Sequence, residues 1–307
     1  MVSIANAIIP IFLSLFFGAV IKRKWLKSDD FWHNLEQLSF YALLPATIFI
    51  NITESDLNFK EQVLVILSLC ISGALVALVL FMYKIKFNVP GPTFTSMLQG
   101  SIRSNNFITF GVGGIIFGQK SIGMGTIAIL TAYMSILANV VSIIALSFYG
   151  SNTNDKTSIK YALKGIIANP TILATILGCC INIADISIPI SISIFLTKLG
   201  SCSFIIGVMI VGARLNFDFK ETKISAVSVT IVAKLVLYPT ISAVVLSFMN
   251  ITNVEKQAAI LFACIPPSVS SYMLAKQMGG DSDTMSTVIT ISTMLSLLSL
   301  WVFMSII

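Results

Sequence analysis

Charged side chains are scarce in this sequence. Only 10% of its 307 residues are Asp, Glu, Lys or Arg, whereas 56% are hydrophobic. An ordinary soluble domain has roughly 25% charged residues, and a soluble fold with so few could not cover its surface. The apolar residues come in runs, and a run of about 18 or more can cross the hydrocarbon core of a bilayer. The composition therefore predicts an all-α polytopic membrane protein.

Residues that bind metals or perform catalysis are also few. The single histidine, His33, lies in a polar stretch without cysteine or carboxylate partners at ligand spacing. All five cysteines lie in apolar stretches, where we interpret them as small buried hydrophobes rather than disulfides. No Ser/His or Asp/Asp pair has a plausible catalytic spacing. The sequence predicts no enzyme, no catalytic residue, no metal site and no cofactor.

Acidic residues are absent from the middle of the apolar segments. Glu36 and Glu255 lie at predicted segment ends, and Asp185 lies in a connector. A proton relay of paired membrane carboxylates therefore has no candidate in the sequence. Arg103 and Lys234 are cations inside apolar segments, and this asymmetry favours an anionic substrate.

Ten apolar segments alternate with short polar connectors. The segments cover residues 3–21, 35–52, 62–83, 92–118, 122–149, 161–183, 188–212, 224–249, 255–278 and 284–306. No positive charge precedes the first run, so we do not expect a cleaved signal peptide. The connectors are too short for a soluble domain.

Lysine and arginine are concentrated in the odd-numbered connectors, Lys22 and Arg214 among them, whereas the even-numbered connectors hold Lys60, Lys120 and Lys256. Cytoplasmic loops are enriched in these residues. We expect a multi-pass protein of the cell membrane with both termini outside the cytoplasm. The basic residues form short clusters between apolar runs, which argues against nucleic acid as a partner.

The two halves of the chain resemble each other. A shift of 161 residues pairs Gly118 with Gly279, and nearly the same shift aligns both ends of the half. Because five segments is an odd number, the second half must enter the membrane from the opposite side. We expect two inverted five-helix repeats, residues 1–150 and 161–307, a common plan of secondary transporters.

Segments four and nine are interrupted at matching positions. Segment four has Arg, Ser and two Asn at positions 103–106, which compete with helix formation, and segment nine has Pro266-Pro267, which removes two backbone donors. Non-helical backbone at membrane depth is tolerated where protein or a water-filled cavity surrounds it, and broken helix ends suit an anion. The breaks predict a substrate site, with packed kinks as the alternative.

The predicted substrate-binding residues lie in and around these breaks. Arg103 would balance the charge of an anion, and the alternative is a structural arginine that reaches toward the membrane surface. Segments two and five add polar residues for which interhelical hydrogen bonds are an equal alternative. The set is Arg103, Asn105, Asn106, Pro266, Pro267, Ser268, Ser270, Thr47, Asn51 and Tyr133.

Several short motifs resemble the auxin efflux carrier family, which includes plant auxin exporters and bacterial permeases for malate or malonate. The resemblance covers nearly the whole chain. The motifs are Tyr41-Ala42-Leu43-Leu44-Pro45, Arg103-Ser104-Asn105-Asn106-Phe107-Ile108 with Gly111, Asn169-Pro170, Gly212-Ala213-Arg214-Leu215, Lys234-Leu235 with Pro239, and Ser292-Thr293-Met294-Leu295-Ser296.

The resemblance implies a ten-helix fold similar to bile-acid symporters and sodium/proton antiporters, with helices four and nine broken and crossed. It implies a scaffold of helices 1, 2, 6 and 7, which also forms a homodimer. Helices 3–5 and 8–10 would form a transport domain that moves in an elevator-like way. Asn105 and the Pro266–Pro267 break would form the substrate site at the crossover.

Together these features predict a permease in the lipid bilayer for a small organic anion, such as malate, malonate or an auxin-like acid. A cation-coupled antiporter of the same architecture is one alternative, and it requires a buried carboxylate. A membrane sensor that does not transport is another, and it requires an attached signalling domain.

Overall fold

The computed structural model describes residues 4–151, 169–217 and 222–306, in which the regular elements are helices and no strand occurs. In chain order the helices are α1 Ile4–Lys24, α2 Asp29–Thr53, α3 Phe59–Phe87, α4 Gly91–Ile102, α5 Asn106–Ile116, α6 Ile122–Tyr149, α7 Pro170–Ile183, α8 Ile190–Arg214, α9 Ile224–Ser247, α10 Asn253–Cys264, α11 Ser270–Met278 and α12 Ser282–Ile306. The first part of predicted segment six, with the connector before it, lies outside the described residues.

Six of these helices, α2, α3, α6, α8, α9 and α12, are long and apolar enough to cross a membrane. Large hydrophobic side chains are exposed on their outer faces, as with Leu78, Phe148 and Trp301. Such an exposed apolar surface is what a lipid-facing bundle requires. The predicted class, an all-α polytopic membrane protein, is confirmed.

Helices α2 and α9 each contain one wider π-helical turn, at Ser39–Leu43 and Ala233–Leu237. A proline follows two residues after each turn, Pro45 in α2 and Pro239 in α9. Proline has no backbone N–H and its ring clashes with the preceding turn of an α-helix, so the local pitch must change. Both helices therefore continue past a proline without ending.

Helices α4 and α5 are separated by a short extended segment, and so are α10 and α11. Arg103 and Ile265, which follow the first helix of each pair, both have extended backbone angles. The Asn105 side chain caps α5 by accepting hydrogen bonds from the backbone N–H groups of Phe107 and Ile108, at 3.1 and 3.3 Å. Both predicted interruptions are thus present in the structure.

The helices pack in two groups. Helices α1, α2, α7 and α8 contact each other closely, and helices α3 to α6 contact α9 to α12. Contacts of α2 with α6 and of α5 with α8 join the groups.

The approach of α1 to α8 depends on glycine. A Cβ atom added at Gly212 would lie 2.0 Å from the Leu15 carbonyl oxygen, and one added at Gly18 would lie 2.1 Å from the Met209 carbonyl oxygen. Both contacts are with backbone, which cannot rotate away as a side chain does. These glycines therefore set the distance between the two helices.

Candidate functional site

The two interrupted helices meet at their breaks. The Asn105 backbone N–H donates to the Pro266 carbonyl oxygen at 2.9 Å, and the Ser104 hydroxyl donates to the Phe262 carbonyl oxygen at 3.0 Å. Pro266 and Pro267 are both buried. The non-helical backbone of one break is therefore partly satisfied by the other, as a polar segment inside an apolar bundle requires.

Lys234 lies behind the break between α4 and α5. Its side chain is fully buried, and its amino group donates to the Ser104 hydroxyl oxygen at 2.9 Å and lies 4.8 Å from the centre of the Tyr238 ring. Among the described residues it forms no ion pair. A lysine so placed adds positive potential to the region of the breaks.

A cavity of about 280 Å³ opens in front of the breaks. Among the described residues, its polar lining comes from the breaks, from α6, from the start of α7 and from α11, and it contains neither Asp nor Glu. Arg103 is the one cation among the described residues of this lining. The described part of the cavity is therefore polar and carries a positive charge without a carboxylate to balance it.

The Arg103 guanidinium is only partly satisfied. Its Nη2 group donates to the Ser270 hydroxyl at 3.1 Å, whereas its Nη1 atom is buried and has no hydrogen-bond partner. The side-chain oxygen of Asn106 is also buried without a partner, while its amide nitrogen lies 3.4 Å from the Ser135 hydroxyl. Unpaired buried polar atoms cost free energy, so the site has unused capacity to bind a polar ligand.

Two helix N-termini border the same cavity. Asn106 and Ser270, the first residues of α5 and α11, both line it. Ser268, just before α11, accepts a hydrogen bond from the Ser270 backbone N–H at 3.4 Å. The N-terminal end of a helix carries a partial positive charge, so both helices add to the field of Arg103.

A second cavity of about 350 Å³ adjoins the first and shares Asn106, Ser268 and Ser270 with it. Asn105 lines this second cavity, as does Glu36. The Glu36 carboxylate accepts from the Arg214 guanidinium at 3.3 Å, so its charge is balanced by a neighbour. The field in the shared region is therefore set mainly by Arg103.

Three predicted site residues lie elsewhere. The Thr47 hydroxyl donates to the Leu43 carbonyl oxygen at 2.9 Å and lies 3.2 Å from the Gly200 carbonyl oxygen. The Asn51 side chain donates to the Thr47 carbonyl oxygen and accepts from the Lys120 backbone N–H. Neither lines the two cavities, and the same holds for Tyr133, which is half exposed on α6. Pro266 and Pro267 lie at the break but are buried and do not line either cavity.

Sequence reasoning missed two contributors to the first cavity, Thr171 and Gln277. Thr171 lies at the start of α7 beside Asn169, whose side chain caps that helix by accepting from the Thr171 N–H at 2.9 Å. The Asn-Pro pair at positions 169 and 170 is a helix-start signal, but only the fold brings it to the breaks. Gln277 lies near the end of α11, and no signal in the sequence marks it.

Glu255 is buried, with 1% of its surface exposed, although a position at a segment end favours exposure. Its carboxylate accepts from the Gln62 side chain at 2.6 Å and from the Thr252 hydroxyl at 2.9 Å. The sequence reveals no candidate for the buried carboxylate that a cation-coupled antiporter requires, and the structure provides one in Glu255. Contacts with α3, which the sequence alone does not reveal, cover this side chain.

Two broken helices that meet at a cationic cavity are typical of membrane transporters. The sequence model of a family described as membrane transport protein matches residues 3–304, which is nearly the whole chain. The chain belongs to this family, the auxin efflux carriers. An uncharacterized transporter from Methanothermobacter thermautotrophicus is similar, with 20% identity over 303 residues, covering 96% of this chain and 95% of the relative. As a member of this family the chain is a multi-pass membrane transporter.

Proposed function

We propose that this transporter is a permease for a small organic anion, a carboxylate such as malate, malonate or an auxin-like acid. The observation that carries the proposal is the Arg103 guanidinium, which lies in a cavity whose described lining residues include no acid. A carboxylate would accept from the unpaired Nη1 group and neutralise a charge that these lining residues leave unbalanced.

The size and polarity of the cavity fit this class of ligand. About 280 Å³ is near the lower limit of small-molecule sites, which span about 300–1,000 Å³. Asn106, Ser268 and Ser270 provide neutral hydrogen-bonding groups around Arg103, and the starts of α5 and α11 add partial positive charge. We propose that these four side chains, with Asn105, hold the anion, and that the Pro266–Pro267 break positions the start of α11 beside it.

For the architecture we propose ten membrane helices in two inverted repeats, residues 1–150 and 161–307. The described helices support this ten-helix architecture when each interrupted pair, α4–α5 and α10–α11, is counted as one span. In this arrangement the two pairs would cross at their breaks. The group α1, α2, α7 and α8 would be a scaffold that forms a homodimer. The other group would be the transport domain.

We further propose that the transport domain moves past the scaffold like an elevator. The interface of α5 with α8 supports this, because Phe107 packs on Gly207 and Phe204 packs on Gly111. Flat glycine surfaces facing aromatic rings offer no side-chain ridges that would lock the helices in one position. The cavity lies near the connectors that are predicted to be cytoplasmic, so this structure would represent an inward-facing state with both termini outside.

The proposal is tested by uptake of radiolabelled malonate and malate into proteoliposomes that contain the full-length protein. We expect uptake by the wild type and its loss in Arg103→Gln, because a neutral side chain cannot balance the anion. Arg23→Gln is the matched control, since Arg23 is exposed and lies against Phe217 outside the cavity. Wild-type uptake by a folded Arg103→Gln protein would overturn the proposed site.

A further inference from the structure

Two carboxyl groups lie close together at the starts of α3 and α10, away from the cavity that Arg103 lines, which we call the proposed anion cavity. Glu61 lies in the first turn of α3 and Glu255 in the first turn of α10. Thr252 joins them, because its backbone N–H donates to Glu61 at 2.8 Å and its hydroxyl donates to Glu255 at 2.9 Å. Both carboxyl groups are therefore bound to the same residue, which holds them close together.

The surroundings of this pair provide acceptors in excess of donors. The Gln62 amide nitrogen donates to Glu255 at 2.6 Å and to the Thr126 hydroxyl at 3.0 Å. The Gln62 side-chain oxygen is buried without a partner, in a residue that is only 2% exposed. Each oxygen of the two carboxylates accepts one hydrogen bond, from Asn58, Thr252 or Gln62, so the buried Gln62 oxygen is the acceptor that is left without a donor.

No cation in the described part of the chain balances the pair. The other charged residues on the elements around α10 are Lys60, Lys84 and Lys86 on α3, Lys256 on α10 itself, Lys234 on α9 and Asp283 on α12, and Asp56 lies in the loop before α3. None of these forms an ion pair with Glu61 or Glu255. Two carboxylates bound to one residue repel each other, and burial of Glu255 also disfavours its charged form, so the pair favours binding of a proton.

We propose that Glu61 and Glu255 share one proton and form a proton-binding site that couples anion transport to proton movement. A proton from water forms an O–H bond with one carboxylate, and this O–H donates to the other, so the charge of the pair changes from −2 to −1. Release breaks the O–H bond and returns the proton to water. Glu61, the less buried partner, is the route to solvent.

Two helices, α10 and α6, connect the carboxyl pair to the proposed anion cavity. Residue 255 is nine positions before the end of α10 at Cys264, which is about 14 Å along the helix at about 1.5 Å per residue. Gln62 binds Thr126 on α6, the helix that also contributes Ser135 to the cavity. Protonation and anion binding therefore act on the same two helices. The coupling rests on the proposed function, whereas the shared proton does not.

The shared proton is tested by infrared difference spectroscopy on the full-length protein in lipid, from acidic to alkaline pH. We expect a protonated-carboxyl band that persists at neutral pH in the wild type. It should be lost in Glu255→Gln and also in Glu61→Gln, because either change removes the repulsion that keeps the proton bound. Asp56→Asn, which alters an exposed acid in the neighbouring loop, should keep the band. A wild type without the band, or either glutamine variant with it, would overturn the proposal.

Coupling is tested by malonate uptake into proteoliposomes with and without an inward proton gradient. We expect the gradient to raise wild-type uptake and to have no effect on Glu255→Gln, which should still exchange internal for external malonate. Wild-type uptake that ignores the gradient would overturn the coupling. If the infrared band behaves as expected but the wild type does not take up malonate, the two results would support the proton site and count against the proposed substrate. Na⁺ could instead stabilise the wild type against thermal unfolding and have no effect on Glu255→Gln. That result would show that the site binds a metal cation rather than a proton, and it would overturn the proposal.

Discussion

The Lys234 amino group lies 2.9 Å from the hydroxyl oxygen of Ser104, which lines the proposed anion cavity. The Ser104 hydroxyl in turn donates to the Phe262 carbonyl oxygen near the end of α10, so it links Lys234 to that helix. The C-terminal ends of α4 and α10, which carry partial negative charge, lie close by at Ile102 and Cys264. Lys234 is thus a positive group placed where two helix ends and both breaks meet.

Lys234→Met keeps the side-chain length and removes this positive group. Burial of a cation without a carboxylate partner costs desolvation free energy, so we expect the variant to unfold at the same temperature as the wild type or higher. We also expect weaker malonate binding, because the cavity loses positive potential. Thermal unfolding and equilibrium binding measure the two effects. Lys198→Met, at an exposed lysine on α8, is the control. Unchanged malonate affinity in Lys234→Met would contradict the prediction.

Asn105 combines a structural role with a place at the cavity, and three variants separate them. Asn105→Ala removes the cap of α5 and should lower the free energy of unfolding by about 1 kcal/mol. Asn105→Ser and Asn105→Asp both keep a capping oxygen, so both should retain stability. Asn105→Asp adds a negative charge beside the anion, so it should lose malonate uptake. Equal uptake by the Asp and Ser variants would show that charge at this position does not matter.

Gly212 and Gly114 are both inside helices but differ in surroundings. Gly212→Ala places a methyl group against the Leu15 carbonyl oxygen and should destabilise the protein by about 1–3 kcal/mol, because α1 and α8 must separate. Gly114→Ala meets no atom within 4 Å and should stabilise α5 by roughly 0.5–1 kcal/mol. Chemical unfolding in detergent measures both. Equal effects of the two changes would mean that the α1–α8 contact does not set stability.

The Glu54 carboxylate and the Lys120 amino group form an ion pair at 2.5 Å that joins the end of α2 to the loop between α5 and α6. If the proposed transport domain moves past the scaffold, this pair must separate during the cycle. We expect E54C and K120C together, in a protein whose five native cysteines are replaced by serine, to lose malonate uptake when oxidised. Reduction should restore uptake, and the single variants should be unaffected. Full uptake by cross-linked protein would exclude movement at this contact.

The class and the two breaks are predictable because they depend on local chemistry. Prolines 266 and 267 cannot donate backbone hydrogen bonds, and the four polar residues at positions 103–106 cannot face lipid, whatever packs around them. The breaks accordingly occur within a few residues of the predicted positions, between Ile102 and Asn106 and between Cys264 and Ser270.

Tertiary contacts were beyond the reach of the sequence. Thr47 has the same polar character as a cavity residue, but its hydroxyl is used by the Leu43 carbonyl oxygen one turn earlier, which composition cannot reveal. From the sequence, Glu255 is expected to be an exposed acid at a helix end. In the structure, α3 places Glu61 and Gln62 beside it. Both cases depend on which helices meet, and single-sequence patterns do not specify that.

The most direct test of the anion site is equilibrium binding to the purified full-length protein, with malonate and its neutral diamide, malonamide, as ligands of similar shape. We predict that the wild type binds malonate and not malonamide, and that Arg103→Gln loses this preference while Arg23→Gln keeps it. Equal binding of both ligands by the wild type, or an unchanged preference in Arg103→Gln, would contradict an anion site built around Arg103.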